Sequence, residues 1–544
     1  MANAPTSADA ADPGTLHDRR FFGHPLGLAT AFFTEMWERF SYYGMRAFLT
    51  LYIAAKVSEG GLGESKANAG IVYGLYGASV YLMSLPGGWI ADRFWGQRKA
   101  VLVGGVIIMF GHVTLALPAV PGLAGALASL PANTTFYLGL AMIVLGTGLL
   151  KPNISTIVGQ LYGKKDARRD SGFTIFYMGI NIGALAAPFT CGYLAKSQSF
   201  RETLRGWHLN PNHAWHFGFG LAAIGMFVGV IWFAYASRFL GEAGKHPTIP
   251  TDAAVAKRDV TKLYAVLAGV VLLPVAFGLL IAANILTSTS DVADVFGLLL
   301  IACATTMFVM MWRNALDEGE RNRIVAMIVL FIGCIAFFGI FEQSGGMLNL
   351  FAEEYAKPDV LGIRFEAVYY QSVNSAYVVI LAPLFAILWV MLAKRRREPS
   401  AVTKFGVGML LNAIAFLVLL PALSDIDSGS KISALYLFVF YLFSTMAELC
   451  VSPVGLSSMS KLAPKRMASM VMGVWFLAIS IGVYLAGRAG EVAEKEGKWF
   501  LFIFLIVIST VVGVALMLVA PRIKRLLGEE TPASVPTATA TVVD

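Results

Sequence analysis

Apolar runs of about twenty residues recur along nearly the whole chain, and this pattern limits its fold more than any other feature. Each run is long enough to cross roughly 30 Å of hydrocarbon as an α-helix. A membrane barrel would instead alternate apolar and polar residues in short segments, and the sequence has no such segments. Only 14% of the 544 residues are charged, against about 25% in a soluble domain. That leaves too little polar surface for a soluble fold. The chain reads as an all-α polytopic membrane protein whose helices satisfy their own backbone polar groups.

Fourteen spans are expected, at about 25–54, 68–92, 99–118, 136–160, 171–194, 215–239, 261–283, 293–312, 323–350, 366–393, 402–421, 433–459, 467–487 and 499–520. An even number puts both termini on one side. Of the 42 Lys and Arg residues, 28 fall on the side of the termini and 11 on the other, while Arg39, Arg46 and Lys151 lie inside spans. Lys164 and Lys165 are among the 28. This bias places the termini in the cytoplasm of a multi-pass plasma-membrane protein, the inner membrane if the cell is Gram-negative. The formal charge of +8 is accounted for by these loops and does not call for a nucleic-acid partner. Cys191, Cys303, Cys334 and Cys450 lie in apolar runs and read as small core residues, not disulfides.

Between Lys262 and Trp312 the apolar stretches carry no ionisable residue except Asp291 and Asp294 in the turn. The seventh and eighth spans therefore read as an inserted hairpin outside a core of six plus six helices, with a plain fourteen-helix exporter as the alternative. The expected division is a disordered N-terminus (1–22), a first six-helix bundle (23–240), the hairpin with its linkers (241–318), a second bundle (319–524) and a disordered tail (525–544). Two-halved transporters of this kind hold substrate at mid-membrane between the halves.

A charge at the bilayer centre costs about 2.5–3.5 kcal/mol by insertion measurements, so each needs a reason. The first span carries Glu35, Glu38, Arg39 and Arg46. At helical spacing these four share one arc of about 140° with Tyr42 and Tyr43. That face must look onto a polar cavity or partner helices. Lys151, Glu342 and Glu448, the last with Ser452 one turn on, add single polar anchors in the fourth, ninth and twelfth spans. Cations in one half and anions in the other match a zwitterion with separated ends, such as a free peptide. The competing reading is a set of inert buried pairs that only orient helices. His112 is expected near a helix midpoint, and His208, His213 and His216 in loops, with no metal-ligand spacing. GTGLLK (146–151) lacks the spacing of a phosphate loop. No nucleophile–base pair or metal cluster suggests an enzyme. In GWIADRFWGQRK (88–99), glycines permit a tight turn, and Asp92, Arg93 and Arg98 are placed to cap helices or pair across a closing gate. Pro188, Pro383 and Pro453 are candidate bending points.

Several of these strings resemble known signatures. Residues 88–99 resemble the loop motif of the major facilitator superfamily. Residues 35–44 (EMWERFSYYG), 146–155 (GTGLLKPNIS) and 176–184 (FYMGINIGA) resemble motifs of the proton-dependent oligopeptide transporter family. FEQSGG, QSVNSAYVVILAP, AELCVSPVGLS and GVWFLAI are similar to its later helices. The resemblance covers about residues 25–520. It implies a major facilitator fold of two six-helix bundles, here with an inserted two-helix hairpin, and symport of di- and tripeptides with protons. It implies that Arg39, Lys151 and Asn181 lie near the peptide carboxylate, and Glu448 near the amino terminus with Asn374 beside it. Tyr42, Tyr43, Tyr81 and Trp475 are implied to line side-chain pockets. Glu35 and Glu38 belong to the implied coupling motif, and Glu342 is implied to pair with Arg46 and release it on protonation. Two departures stand out: Ser375, where the family usually has Pro, and Phe338, where many members have Trp. Nitrate or another organic solute is the alternative cargo, and a non-transporting membrane sensor the rival class. No cofactor is expected, the proton gradient being the driving force, and a monomer in the lipid bilayer is the expected functional unit.

Overall fold

The computed structural model describes residues 18–120, 122–123, 130, 133–163, 166, 168–248, 252–360 and 362–527. Lys164, Lys165, most of the N-terminal segment and nearly all of the C-terminal tail lie outside the described residues.

Among the described residues, fourteen helices have twenty residues or more. They are α1 (Leu26–Ala54), α2 (Lys66–Ile90), α3 (Gln97–Ala116), α4 (Thr134–Gln160), α5 (Arg169–Lys196), α6 (Ala214–Ala236) and α7 (Ala253–Ala282). They continue as α8 (Thr289–Arg313), α9 (Glu318–Phe341), α10 (Tyr370–Lys394), α11 (Ala401–Asp427), α12 (Ala434–Leu462), α13 (Ala468–Glu496) and α14 (Lys498–Leu526). Twelve spans qualify as membrane-crossing by length and apolarity alone. α1 and α2 do not, because α1 carries four charges and α2 is rich in glycine, serine and tyrosine. Polar side chains start many of these helices. Ser65 accepts the Asn68 amide at α2, Ser288 and Asp291 form a reciprocal capping box at α8, and Asp317 accepts the Glu320 amide at α9. Each cap satisfies an amide that the helix itself leaves unpaired.

α1–α6 pack on one another, α1 against α5 and α6, and α3 against α4 and α6. α9–α14 form the second bundle, with α11 packed on α12 and α14. Two helix pairs carry most of the contact between bundles, α2 with α13 and α5 with α10. At the first, glycines allow backbone to meet backbone. A Cβ on Gly487 would lie 2.6 Å from the Cα of Gly74, and one on Gly70 would lie 2.8 Å from the Gly487 carbonyl oxygen. α8 lies against α13 and α2, tied there by Arg488, which pairs with Asp294 at 2.9 Å. α7 is open to the surroundings along its length, with Asp259 its one buried residue. The hairpin is thus an addition outside a two-bundle major facilitator fold.

Two local expectations need correction. The ninth span is not a continuous helix over 323–350. α9 stops at Phe341, a single 3₁₀ turn covers Glu342–Ser344, and a short helix follows at Met347–Tyr355. The Gly345-Gly346 pair explains the break, since Gly346 leaves helical geometry at φ −97°, ψ −110°. His216 is not in a loop: it sits in α6 and its Nδ1 donates to the Leu115 carbonyl at 2.8 Å. Cys191, Cys303, Cys334 and Cys450 are all free thiols.

Candidate functional site

The charged stripe of α1 is buried: Glu35, Glu38, Arg39 and Arg46 are 3%, 0%, 4% and 7% exposed. It divides into two clusters about two turns apart. In the first, Arg39 pairs with Glu35 one turn earlier at 3.1 Å and with its neighbour Glu38. Its guanidinium stacks over Tyr42 at 5.1 Å, and Tyr42 in turn lies nearly parallel to Tyr76 of α2 at 6.3 Å. Glu35 Oε2, Glu38 Oε1 and one Nη of Arg39 are buried without a hydrogen-bond partner among the described residues. Unmet polar atoms in such a place are expensive, which marks this cluster as one with capacity to spare.

The second cluster joins the bundles. Arg46 Nη2 donates to Glu342 Oε2 at 2.6 Å. Arg46 Nε donates to the Tyr73 hydroxyl at 2.8 Å, and that hydroxyl donates to the same Glu342 oxygen at 2.7 Å. Tyr43 and Tyr73 flank the guanidinium at 5.5 and 5.7 Å. The helix break after Phe341 places Glu342 at the end of α9, where its side chain reaches across to α1 and α2.

Lys151 of α4 lies over the Tyr81 ring at 4.1 Å, a cation–π contact between neighbouring helices of the first bundle. In the second bundle the Asn374 amide of α10 donates to Glu448 Oε2 and to the Thr445 hydroxyl of α12, both at 3.0 Å. The candidates therefore gather as four groups, three on the first bundle or its border and one in the second. Asn181, Ser452 and Trp475 are not joined to them by any hydrogen bond among the described residues. The Asn181 amide donates to Tyr177 O of its own helix at 2.9 Å. Trp475 is buried against Gly455 and lies edge-on to Phe405 at 6.5 Å. Phe338 is buried between Phe337, Phe341 and Gly482 of α13.

Further bonds between the bundles lie on the side away from the termini. Asn349 donates to Ala47 O at 2.8 Å, Ser372 to Leu185 O at 2.8 Å and Thr50 to Gly345 O at 3.3 Å. Lys66 pairs with Glu354 and Lys196 with Glu353 at the rim. Ser480 donates to Ala78 O at 2.8 Å nearer mid-membrane.

The 88–99 segment contacts the linker between α6 and α7 and the start of α7. Gly96 takes φ +74°, a conformation open to glycine at little cost, and turns the chain into α3. Arg98 Nε then donates to Ala243 O at 2.6 Å, and its Nη2 donates to Gly241 O. The Thr248 amide donates to Asp92 O at 2.7 Å, and Arg93 faces Asp259 of α7 at 3.6 Å. Gln97 donates to Asp92 at 2.6 Å. These contacts hold the linker from α6 to α7; the described partners of Asp92, Arg93 and Arg98 are not in the second bundle.

Sequence reasoning missed Tyr73 and Thr445. Both carried a signal, though a weak one. Thr445 sits one turn before Glu448 on the same helix face, and Tyr73 lies on α2 among several tyrosines that nothing in the spacing sets apart.

Residues 98–498 match the POT family. The chain belongs to the POT family. A di-/tripeptide transporter of Lactococcus lactis subsp. lactis (strain IL1403) is 37% identical over 521 residues, covering 94% of this chain and 98% of the relative. The peptide transporter YePEPT of Yersinia enterocolitica is 38% identical over 483 residues, covering 87% and 88%. A crystal structure of a peptide transporter POT in complex with sulfate superposes with TM-score 0.81 at 38% identity, covering 94% of this chain and 98% of that one. A POT family transporter in complex with 5-aminolevulinic acid gives TM-score 0.81 at 33% identity, covering 94% and 99%. As a POT-family chain this is a membrane transporter. Among the described residues no group of three or more His, Cys, Asp or Glu is arranged to hold a metal ion.

Proposed function

We propose that this chain is a symporter that carries di- and tripeptides into the cell together with protons by alternating access. The observation that carries the reading is the buried Arg46–Glu342–Tyr73 cluster, an ion pair that ties the two bundles together on the side away from the termini. The chain's likeness to relatives named peptide and di-/tripeptide transporters points the same way.

Removing one partner of a buried ion pair leaves the other charge uncompensated, at a cost of about 3–5 kcal/mol. Protonating Glu342 does this chemically: the carboxylate becomes neutral, Arg46 loses its partner, and the bundles lose a tie. Competition between a proton and Arg46 for Glu342 is then the coupling step. Glu35 and Glu38, each with a spare oxygen beside Arg39, are the second place where a proton or an arriving carboxylate alters the pairing. The peptide carboxylate is assigned to Arg39 and Lys151 and its amino group to Glu448, which Asn374 orients. Asn181, Ser452, Tyr42, Tyr43, Tyr81 and Trp475 complete the proposed contact set. The Glu448–Asn374 pair favours a zwitterion over nitrate, which has no use for a carboxylate.

The termini are assigned to the cytoplasm from the Lys/Arg bias, and the bundles to 23–240 and 319–524 with 241–318 as the hairpin. No cofactor is invoked, and a single chain in the bilayer is taken as the working unit. Symport of one proton with a neutral peptide moves one positive charge inward, worth about 2.3 kcal/mol per 100 mV, or roughly fifty-fold accumulation. The test is dialanine uptake by proteoliposomes under an imposed proton gradient. Concentrative uptake that collapses with a protonophore is expected; equal uptake with and without the gradient would remove proton coupling, and no uptake of any di- or tripeptide would remove the peptide reading.

A further inference from the structure

A cavity of about 450 Å³ lies in the second bundle on the side of the termini, away from the groups described above. Its walls come from α9, α10, α11, α12 and α14 near their ends. Three lysines line it, Lys404, Lys461 and Lys524, against one acid, Glu398. Lys404 is held in place: its Nζ donates to Glu398 at 2.6 Å and lies 4.4 Å from the centre of the Trp389 ring. That pair cancels, and Lys461 and Lys524, both exposed, have no ion-pair partner among the described residues. Among the described residues the cavity therefore keeps two uncompensated positive charges. Ser457 and Ser458 add hydroxyl groups to the same lining.

These are the features of a phosphate site. The lysines supply charge and hydroxyls supply directed hydrogen bonds. The position is also that of an interface, with a tryptophan and lysines at helix ends where the bilayer meets water. Basic pockets between membrane helices on the cytoplasmic side suit anionic headgroups. Free phosphate has the same chemistry. We infer that this cavity binds the phosphate group of an anionic ligand, drawn from a lipid headgroup or from solution. Pro453 also lines it, five residues beyond Glu448 on α12, or about 7.5 Å along a helix. An occupant would therefore touch the helix that carries one end of the proposed peptide site.

The test titrates the purified full chain, in neutral detergent, with dihexanoylphosphatidylglycerol, dihexanoylphosphatidylcholine and inorganic phosphate, and reads heats of binding. The phosphatidylglycerol should bind at least about tenfold more tightly than the phosphatidylcholine, and less tightly as salt rises. Lys461→Gln with Lys524→Gln should weaken it at least tenfold, while Lys461→Arg with Lys524→Arg should retain it. Each single glutamine variant should weaken it about threefold, a second reading should the double variant fold poorly. Displacement of the lipid by inorganic phosphate at similar affinity makes the solution anion the occupant; failure to displace it makes the lipid the occupant. The inference is overturned if neither phosphatidylglycerol nor phosphate binds, or if the glutamine variants bind as tightly as the parent chain.

Discussion

Arg39 and Arg46 sit two turns apart on the same face of α1, yet their partners differ in kind. Arg39 is paired within its own helix, to Glu35 and Glu38. Arg46 is paired across the bundle boundary, to Glu342. When two bundles rock apart, an intrahelical pair travels as one body and survives, whereas a pair between bundles must stretch or break. One stripe thus contains a cluster suited to receiving a ligand and a cluster suited to sensing whether the halves are together. In the second bundle Glu448 is likewise held within its own bundle, by Asn374, which also donates to Thr445.

The largest expected effect comes from Glu342→Gln. The amide can neither take up a proton nor pair with Arg46 as an anion, so uphill accumulation of dialanine should fall from roughly fifty-fold per 100 mV to about one. Exchange of labelled for unlabelled peptide across the membrane, which needs no net proton flux, should persist. If Glu342→Gln still concentrates peptide fully under a proton gradient, the division between the two clusters fails. Next is Glu448→Gln. Loss of a charge-assisted interaction of about 1.5–3 kcal/mol should raise KM for dialanine by about ten- to a hundred-fold. An N-acetylated dipeptide, which lacks the amino charge, should show almost no change between the parent chain and this variant. An equal rise for both peptides would mean that Glu448 acts on the fold and not on the amino terminus.

Tyr73→Phe sharpens the comparison further, because it removes the hydroxyl shared by Arg46 and Glu342 and leaves both charges. Two hydrogen bonds of about 1 kcal/mol each predict up to about a thirty-fold change in the gradient-driven rate, with KM little altered. Tyr76→Phe, whose hydroxyl is buried without a partner among the described residues, should change the rate less. The smallest effect is expected at the rim. Lys66→Gln removes an exposed pair with Glu354, whose side chains are 58% and 42% exposed. Such pairs are worth about 0–1 kcal/mol, so the uptake rate should shift less than about five-fold, and less still in high salt.

Much of this site is legible in the sequence. Four charges in an apolar run demand a polar side to that helix, and helical spacing puts them with Tyr42 and Tyr43 on one arc whatever the helix packs against. Glu342, Glu448 and Lys151 stood out for the same energetic reason. Neutral partners did not. Tyr73 and Thr445 are ordinary residues for a membrane helix, and their role depends on which helix lies opposite. Trp475 and Asn181 show the reverse: their strings match the family, but in this conformation their described contacts stay within their own helix or bundle.

The loop at 88–99 makes the same point about range. Its charges and glycines were evident, and the turn at Gly96 follows from local geometry. Their partners, the carbonyls at 241 and 243 and the carboxylate of Asp259, lie about 150 residues further along the chain. No periodicity connects such positions.

By itself the sequence determined the number of long helices, the burial of charge in α1 and the grouping of its six polar residues, because bilayer thickness and the helical repeat act over a few tens of residues. Only the tertiary structure decided that the stripe splits in two. Arg46 and Glu342 are 296 positions apart, and what brings them together is glycine-to-glycine packing of α2 on α13 and a helix that breaks at Gly345-Gly346. Both depend on shape complementarity between distant segments, which no local rule contains.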